Sequence, residues 1–472
     1  MKNGNVVLKS GIWYMVSNFL TRGIVFLTTP LFTRMLTKEE FGAFSNFSSW
    51  LNILSIIITL NVEASLISAR YDYKDRVDNY VFSALGLSTA SAAVWLVICN
   101  IFMGPVSAFL EMDPFYINLM LVYMFFLPAL HLYQTQELYF YRYKNSTALS
   151  LITTMSSALI AVVLVLTLTN KLGGRIYGQI IPTVVIGGML YLLIARRGIA
   201  GGQKMDFGVW KYALKVCTPY IPHLLSLTLL SSIDRIMITK MLGESETAMY
   251  SVAASVAMIV SLFLSAFNGA FSPWMAERLS KGEFKDIRKI SKGYIGLFMC
   301  FAVGLMLLAP EVLLIMGGEA YMGARDLMIP VALGCVCQFL YTLFVNVEQY
   351  CKKTVGMAFA SISATVLKYL LNLWLIPQFG YISAAYTTLI GYIWLLAVHM
   401  LLVRRMEQHT SFSYPFVIGA LLAIGGVAVC VGFLYLWTWV RYAVVLAYVV
   451  LLLVLAWKYR SIILGVLRKK TT

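Results

Sequence analysis

The stretch 226–243, SLTLLSSIDRIMITKMLG, decides what kind of molecule this is. Asp234 and Arg235 stand side by side in a run that is otherwise mostly apolar or small. In water a helix would turn such a pair to solvent. In lipid the charges must face another helix or a wet interior. Adjacent residues point about 100° apart on a helix, so the two are poor partners for each other. One is expected to face a polar cavity while the other meets a neighbouring helix. Ser226, Ser231 and Ser232 permit close helix contact. Pro219 and Pro222, just upstream, open the backbone ladder and are expected to kink or loosen the segment.

The rest of the chain supports the lipid reading. Its 472 residues are 60% hydrophobic and 12% charged, whereas a soluble domain carries about 25% charged residues. Mean hydropathy is +0.79. Fourteen segments are long and apolar enough to span a bilayer: 11–34, 44–66, 80–103, 115–137, 147–169, 176–195, 213–239, 247–270, 291–316, 325–348, 355–376, 380–402, 412–434 and 437–457. With the N-terminus inside, 26 of the 37 Lys and Arg fall in inner segments and seven in outer ones, Arg175 and Arg441 among the seven. That bias fits the positive-inside rule and puts both termini in the cytoplasm. The net charge of +16 is thereby explained as topology, with no nucleic-acid partner. Seven scattered cysteines and four distant histidines give no metal spacing, and no phosphate-binding or dinucleotide loop is present. No metal or organic cofactor is expected. The first span looks like a retained helix, with no cleavage site behind it.

A repeat is legible. TRMLTKEEFGAFS (33–45) lies on TKMLGESETAMYS (239–251) without a gap, and NKLGGRIYG (170–178) resembles PQFGYISAA (377–385) when Gly173 is set on Gly380. Two six-helix halves follow, with two helices appended. The predicted divisions are 1–208, 209–405, and 406–472, the last ending in a basic cytoplasmic tail. Parallel repeats of this kind build transporters whose halves rock against each other around a central cavity. The fold class is an all-α polytopic membrane protein.

Four basic residues lie within spans: Arg22, Lys215, Arg235 and Lys368. Lys215 is near enough to an edge to snorkel. A charge at mid-bilayer costs roughly 2.5–3.5 kcal/mol on insertion scales, so Arg22, Arg235 and Lys368 should face a protein interior or cavity. They suit an anionic cargo such as a phosphate or diphosphate. Ion pairing with Asp234, Glu63 or another acid explains them as well. Asp234 and Glu63 are candidates for a coupling cation or an interhelical contact. His223 and His131 have the chemistry to titrate near neutral pH, although packed histidines are the commoner case. Interface anchoring accounts best for aromatics such as Trp13 and Tyr143, and a few are expected to line a sugar path.

SSIDRIMITKMLGESETAMYSVA (231–253), FNGAFSPWMAERLSKGE (267–283) and GIWYMVSNFLTRGIVFLTTPLFTRMLTKEEFGAFS (11–45) resemble bacterial polysaccharide biosynthesis exporters. These are the O-antigen and capsule repeat-unit flippases of the multidrug/oligosaccharidyl-lipid/polysaccharide superfamily. The resemblance implies a MATE-like fold of two six-helix lobes with helices 13 and 14 outside them. It implies a monomer in the bacterial cytoplasmic (inner) membrane that flips undecaprenyl-diphosphate-linked oligosaccharide by alternating access, with Na+ or H+ as coupling ion. Membrane lipids, a polysaccharide polymerase and chain-length proteins are the implied partners. Asp234 and Arg235 fall on the family's Asp–basic pattern in span 7, whereas Arg22 and Lys368 match only its general expectation of cavity cations. Two alternatives stay open: a lipid II flippase or a multidrug exporter. An exporter of cationic compounds would want an acidic cavity, which Arg22 and Lys368 oppose. A polymerase or ligase would need a large outer loop, and every outer loop here is short.

Overall fold

The computed structural model describes residues 2–74, 76–140 and 142–458. The basic tail beyond Lys458 lies outside them. The described chain is all helix and short connections. The first half comprises α1 (Lys2–Met35), α2 (Lys38–Ile58), α3 (Leu66–Asp72), α4 (Val77–Ile101), α5 (Met103–Leu110), α6 (Pro114–Tyr139), α7 (Tyr143–Thr167) and α8 (Lys171–Ala200). The second comprises α9 (Phe207–Cys217), α10 (Ile221–Leu242), α11 (Glu244–Ser280), α12 (Phe284–Leu307), α13 (Ala309–Gly317), α14 (Met328–Tyr350), α15 (Thr354–Phe379) and α16 (Ile382–Arg404). Then come α17 (Tyr414–Leu434) and α18 (Thr438–Lys458). Among the described residues, twelve helices are long and apolar enough to cross a membrane. The first and last of the fourteen expected spans are not among these; α18 contributes a shorter apolar stretch, Thr438–Val454.

Local chemistry sets the helix starts. Thr37 and Glu40 form a reciprocal capping box at α2. Asp113 caps α6 through the Phe115 amide at 2.7 Å, with Pro114 in the first turn, and Asn170 caps α8 through the Gly173 amide at 2.8 Å. The two prolines of span 7 do more than kink it. The span divides into α9 and α10 across residues 218–220. Helix α9 is tied to the first half: Trp210 Nε1 donates to the Ser83 carbonyl at 2.8 Å, and the Tyr212 hydroxyl donates to Asp72.

Element boundaries show the duplication in two registers. Helices α2 and α11 begin 206 positions apart, at Lys38 and Glu244. The end of α6 and the starts of α7 and α8 recur 211 positions later, at Tyr350, Thr354 and Ile382. Setting Gly173 on Gly380 is therefore out of register: Gly173 lies inside α8, while Gly380 precedes α16 with φ +71°. The first match, 33–45 on 239–251, keeps the register of α2 and α11.

The end of the bundle carrying the α1–α2 and α10–α11 turns is called upper here. The halves meet closely at that end. A Cβ on Gly42 of α2 would lie 1.8 Å from the Glu244 carbonyl oxygen of α11. Thr33 donates to the Met316 carbonyl at 2.6 Å, and Arg34 to the Ile315 carbonyl at 3.0 Å, tying α1 to α13.

Arg441 corrects the loop assignment made from sequence. It lies in α18, only 3% exposed, with its guanidinium paired to both carboxylate oxygens of Glu311 and donating to the Leu307 carbonyl at 2.8 Å. This fork pins α18 to α12 and α13. Arg441→Ala is expected to undock α18 alone, since Glu311 is partly exposed and recovers some solvation. Limited proteolysis near residues 435–441 should quicken while the remainder stays resistant; an unchanged digestion pattern would refute the pin.

Candidate substrate cavity and the buried charges

Helices α1, α2, α6, α7, α8, α10 and α11 line a cavity of about 510 Å³ just below the upper seam. Its wall is rich in hydroxyls and amides, among them Thr28, Ser48, Asn52, Ser157 and Gln179. Its charged lining consists of Arg175 and Arg235, with no carboxylate among the described residues. Close packing of α8 on α7 aims the first of these. A Cβ on Gly178 would meet Ala161 at 2.3 Å, and one on Gly174 would meet the Leu164 backbone at 2.8 Å. This small-xxx-small stripe turns the next residues along, Arg175 and Gln179, into the cavity. The Arg175 guanidinium sits 4.1 Å from the Phe32 ring centre and 4.0 Å from that of Phe44, and its Nε is buried without a partner. Packing between the two rings fixes its orientation. The hydropathy spans place Arg175 in an outer segment, just before the span 176–195. The helix starts four residues earlier, at Lys171, and Gly174-x-x-x-Gly178 was the available signal.

Arg235 and Asp234 point apart. Arg235 lines the cavity, with Nε 3.2 Å from the Ser251 hydroxyl. Asp234 turns into the second half and is 1% exposed. Its carboxylate meets Lys368 Nζ at 2.7 Å, accepts from Asn372 at 2.7 Å and Thr388 at 2.9 Å, and accepts from the Tyr250 hydroxyl. Lys368 is 0% exposed and also donates to the Leu230 carbonyl. Lys368 was expected to touch cargo; instead its ammonium is sealed between α10 and α15. In the two registers of the duplication, Asp234 corresponds to Thr28 and Lys368 to Ser157, and both of those line the cavity. The first half presents hydroxyls to the cavity where the second half holds an internal ion pair.

The other expected site residues lie apart. Arg22 is exposed on α1, one turn below Val25 and on the same helical stripe as the cavity-lining Val25 and Thr29. Glu63, in the 3-10 turn Val62–Ser65, lies 3.1 Å from His131 Nδ1, and its Oε2 is buried without a partner. His223 lies 3.3 Å from the Ser361 hydroxyl, with its ring centre 5.9 Å from that of Tyr220. A second carboxylate–imidazole pair, Glu348 with His399 at 2.7 Å, is fully buried in the second half. Glu137 pairs with Arg142 at 3.2 Å.

The family model for "Polysaccharide biosynthesis protein" matches residues 7–279, more than half of the chain. The chain belongs to that family. A second model, MatE, matches residues 219–374 of this family member, including the Asp234–Lys368 region. "Lsg locus putative protein 1" of Haemophilus influenzae is 24% identical over 371 residues, covering 76% of this chain and 89% of the relative. Among solved structures, lipid II flippase MurJ in an inward closed conformation superposes with a TM-score of 0.69 at 13% identity, covering 96% of this chain and 100% of that one. An inward-facing multidrug resistance MATE family transporter of the MOP superfamily gives 0.58 at 15% identity, covering 86% and 95%. These likenesses identify the fold: this member of the polysaccharide biosynthesis family is a multi-pass membrane protein built on the MATE/MurJ two-lobed plan.

Proposed function

We propose that the protein flips undecaprenyl-diphosphate-linked oligosaccharide repeat units from the cytoplasmic to the outer face of a bacterial cytoplasmic membrane, by alternating access. The observation that carries this reading is a cavity whose charges are two guanidiniums and whose remaining polar wall is neutral. A diphosphate offers such a site acceptors for both forks. A cationic drug would find no counter-charge there. In this reading the upper end is the outer face, closed in this conformation, and both termini are cytoplasmic. The lobes are 1–208 and 209–405, with α9 of the second held against the first, and the segment 406–472 is accessory. Arg22 receives the head group at the mouth below the cavity. The protein works as a monomer beside polymerase and chain-length proteins, while the polyprenyl tail stays in lipid.

A Na+ or H+ gradient drives the cycle. Asp234 already accepts from four side chains, so the better entry point for the ion is Glu63, which has an unpartnered oxygen and His131 beside it.

The test is flipping in liposomes of a sugar-labelled, short undecaprenyl-diphosphate oligosaccharide. A hydrogen bond to a charged group contributes about 1.5–3 kcal/mol. Arg175→Ala and Arg235→Ala should therefore each slow flipping roughly 10- to 100-fold if the bond strengthens in the rate-limiting state. The double variant should be near background. Wild-type rates in the double variant would sink the reading.

A further inference from the structure

A second pocket, of about 240 Å³, lies near the lower end between α1, α6 and α7. Its lining includes Ser17, Asn18, Gln134, Tyr143 and Thr147 and contains no charged residue among those described. Ser17 and Thr147 of this lining are each only 5% exposed. A wall of hydroxyls and amides favours an occupant that supplies donors and acceptors together. Gln134 spends one amide hydrogen on Ser150 at 3.2 Å and keeps its oxygen and second hydrogen. Tyr143 of the lining stacks on Trp13, with ring centres 6.2 Å apart and planes 25° from parallel.

Two features connect this pocket to the cavity above. On α7, Thr147 and Ser150 line the lower pocket, and Thr153, Thr154 and Ser157 continue the same stripe into the cavity. On α1, Ser17 and Asn18 line the lower pocket and Val25 and Thr28 the upper one, with exposed Arg22 between them. From Thr147 to Thr154 is seven residues of helix, about 10 Å. Arg175 is higher still, beside Gly174 and Gly178, which pack on Leu164 and Ala161 of α7. The guanidiniums therefore lie about 21 Å of helix above Thr147, the reach of an oligosaccharide of several sugars from a diphosphate held there.

We propose that the lower pocket is a glycan subsite that takes one uncharged pyranose of the lipid-linked substrate. Hydroxyl and amide side chains match sugar hydroxyls as both donors and acceptors. The absence of cations in the lining disfavours a phosphate, and its polarity disfavours an acyl chain. This inference rests on the flippase reading for its ligand.

The test compares two lipids on the full chain in nanodiscs: undecaprenyl diphosphate without sugar, and the same lipid carrying a neutral oligosaccharide of several sugars. Thr147→Val, nearly isosteric, and Asn18→Ala should each weaken binding of the sugar-bearing lipid about threefold to tenfold. Both should leave the bare lipid unchanged. Arg175→Ala should weaken both lipids. Pocket variants that bind the sugar-bearing lipid like wild type would overturn the subsite and leave the flippase reading intact. If wild type binds neither lipid, the flippase reading fails. The subsite then stands or falls on saturation-transfer NMR with the methyl glycosides of glucose, galactose and N-acetylglucosamine. Transfer lost in Thr147→Val supports it; no transfer with wild type overturns it.

Discussion

Lys368→Ala should cost the folded protein about 3–5 kcal/mol, because it leaves the Asp234 carboxylate charged and buried without its cation. The pair is 0% and 1% exposed, so solvent cannot compensate. The double variant Asp234→Asn with Lys368→Met should recover most of that loss. Replacing both members of a buried pair by neutral groups of similar volume is often close to neutral. Thermal unfolding in one detergent of wild type, Asp234→Asn, Lys368→Met and their double variant measures the cycle, with Lys368→Ala run beside them. A single variant as stable as wild type, or a double variant no better than the single, would show that the pair does not hold α10 to α15. The same cycle separates two roles for Lys368. A cargo cation lost to alanine would weaken substrate binding and spare stability; a clasp does the reverse.

The second large effect is expected at Gly42. A side chain there runs into the Glu244 backbone, which no rotamer change can relieve. Gly42→Leu should therefore force α2 and α11 apart at the upper seam. Overpacking of this kind typically costs about 1–3 kcal/mol, enough to move a closed-to-open ratio by roughly tenfold or more. A cysteine placed at Ser48 in the cavity wall reports the outcome. Labelling by an impermeant thiol reagent from the outer face should rise about tenfold in the leucine variant over the glycine parent. Equal labelling would mean that the seam is not the barrier.

Much of this was legible in the sequence, and the omissions have physical reasons. Apolar length gave twelve of the spans, and the 33–45 repeat gave the register of α2 and α11, because both are local properties of the chain. The divergence of Asp234 from Arg235 also followed from helical geometry alone. Lys368 was harder. Whether it faces the cavity or Asp234 depends on how α15 is rotated against α10, which no single-helix pattern encodes. Arg175 was missed because helix ends are the least certain part of a hydropathy reading, and it sits in the first turn and a half of α8. The lower pocket could not be seen at all, since one wall comes from α1 and the others from α6 and α7, more than a hundred residues further along.

The internal ion pair has a mechanical consequence. Helices α10, α11, α15 and α16 are cross-linked through one carboxylate, so that part of the second half resists internal shear and moves as a stiff arm. A stiff arm needs a pivot. The helix break at residues 218–220 supplies one, between an α9 fastened to the first half and an α10 anchored in the arm. In the alternating-access cycle proposed above, displacement of the arm would be concentrated at that three-residue joint and at the Gly42 seam, separating the two guanidiniums on either side of the cavity.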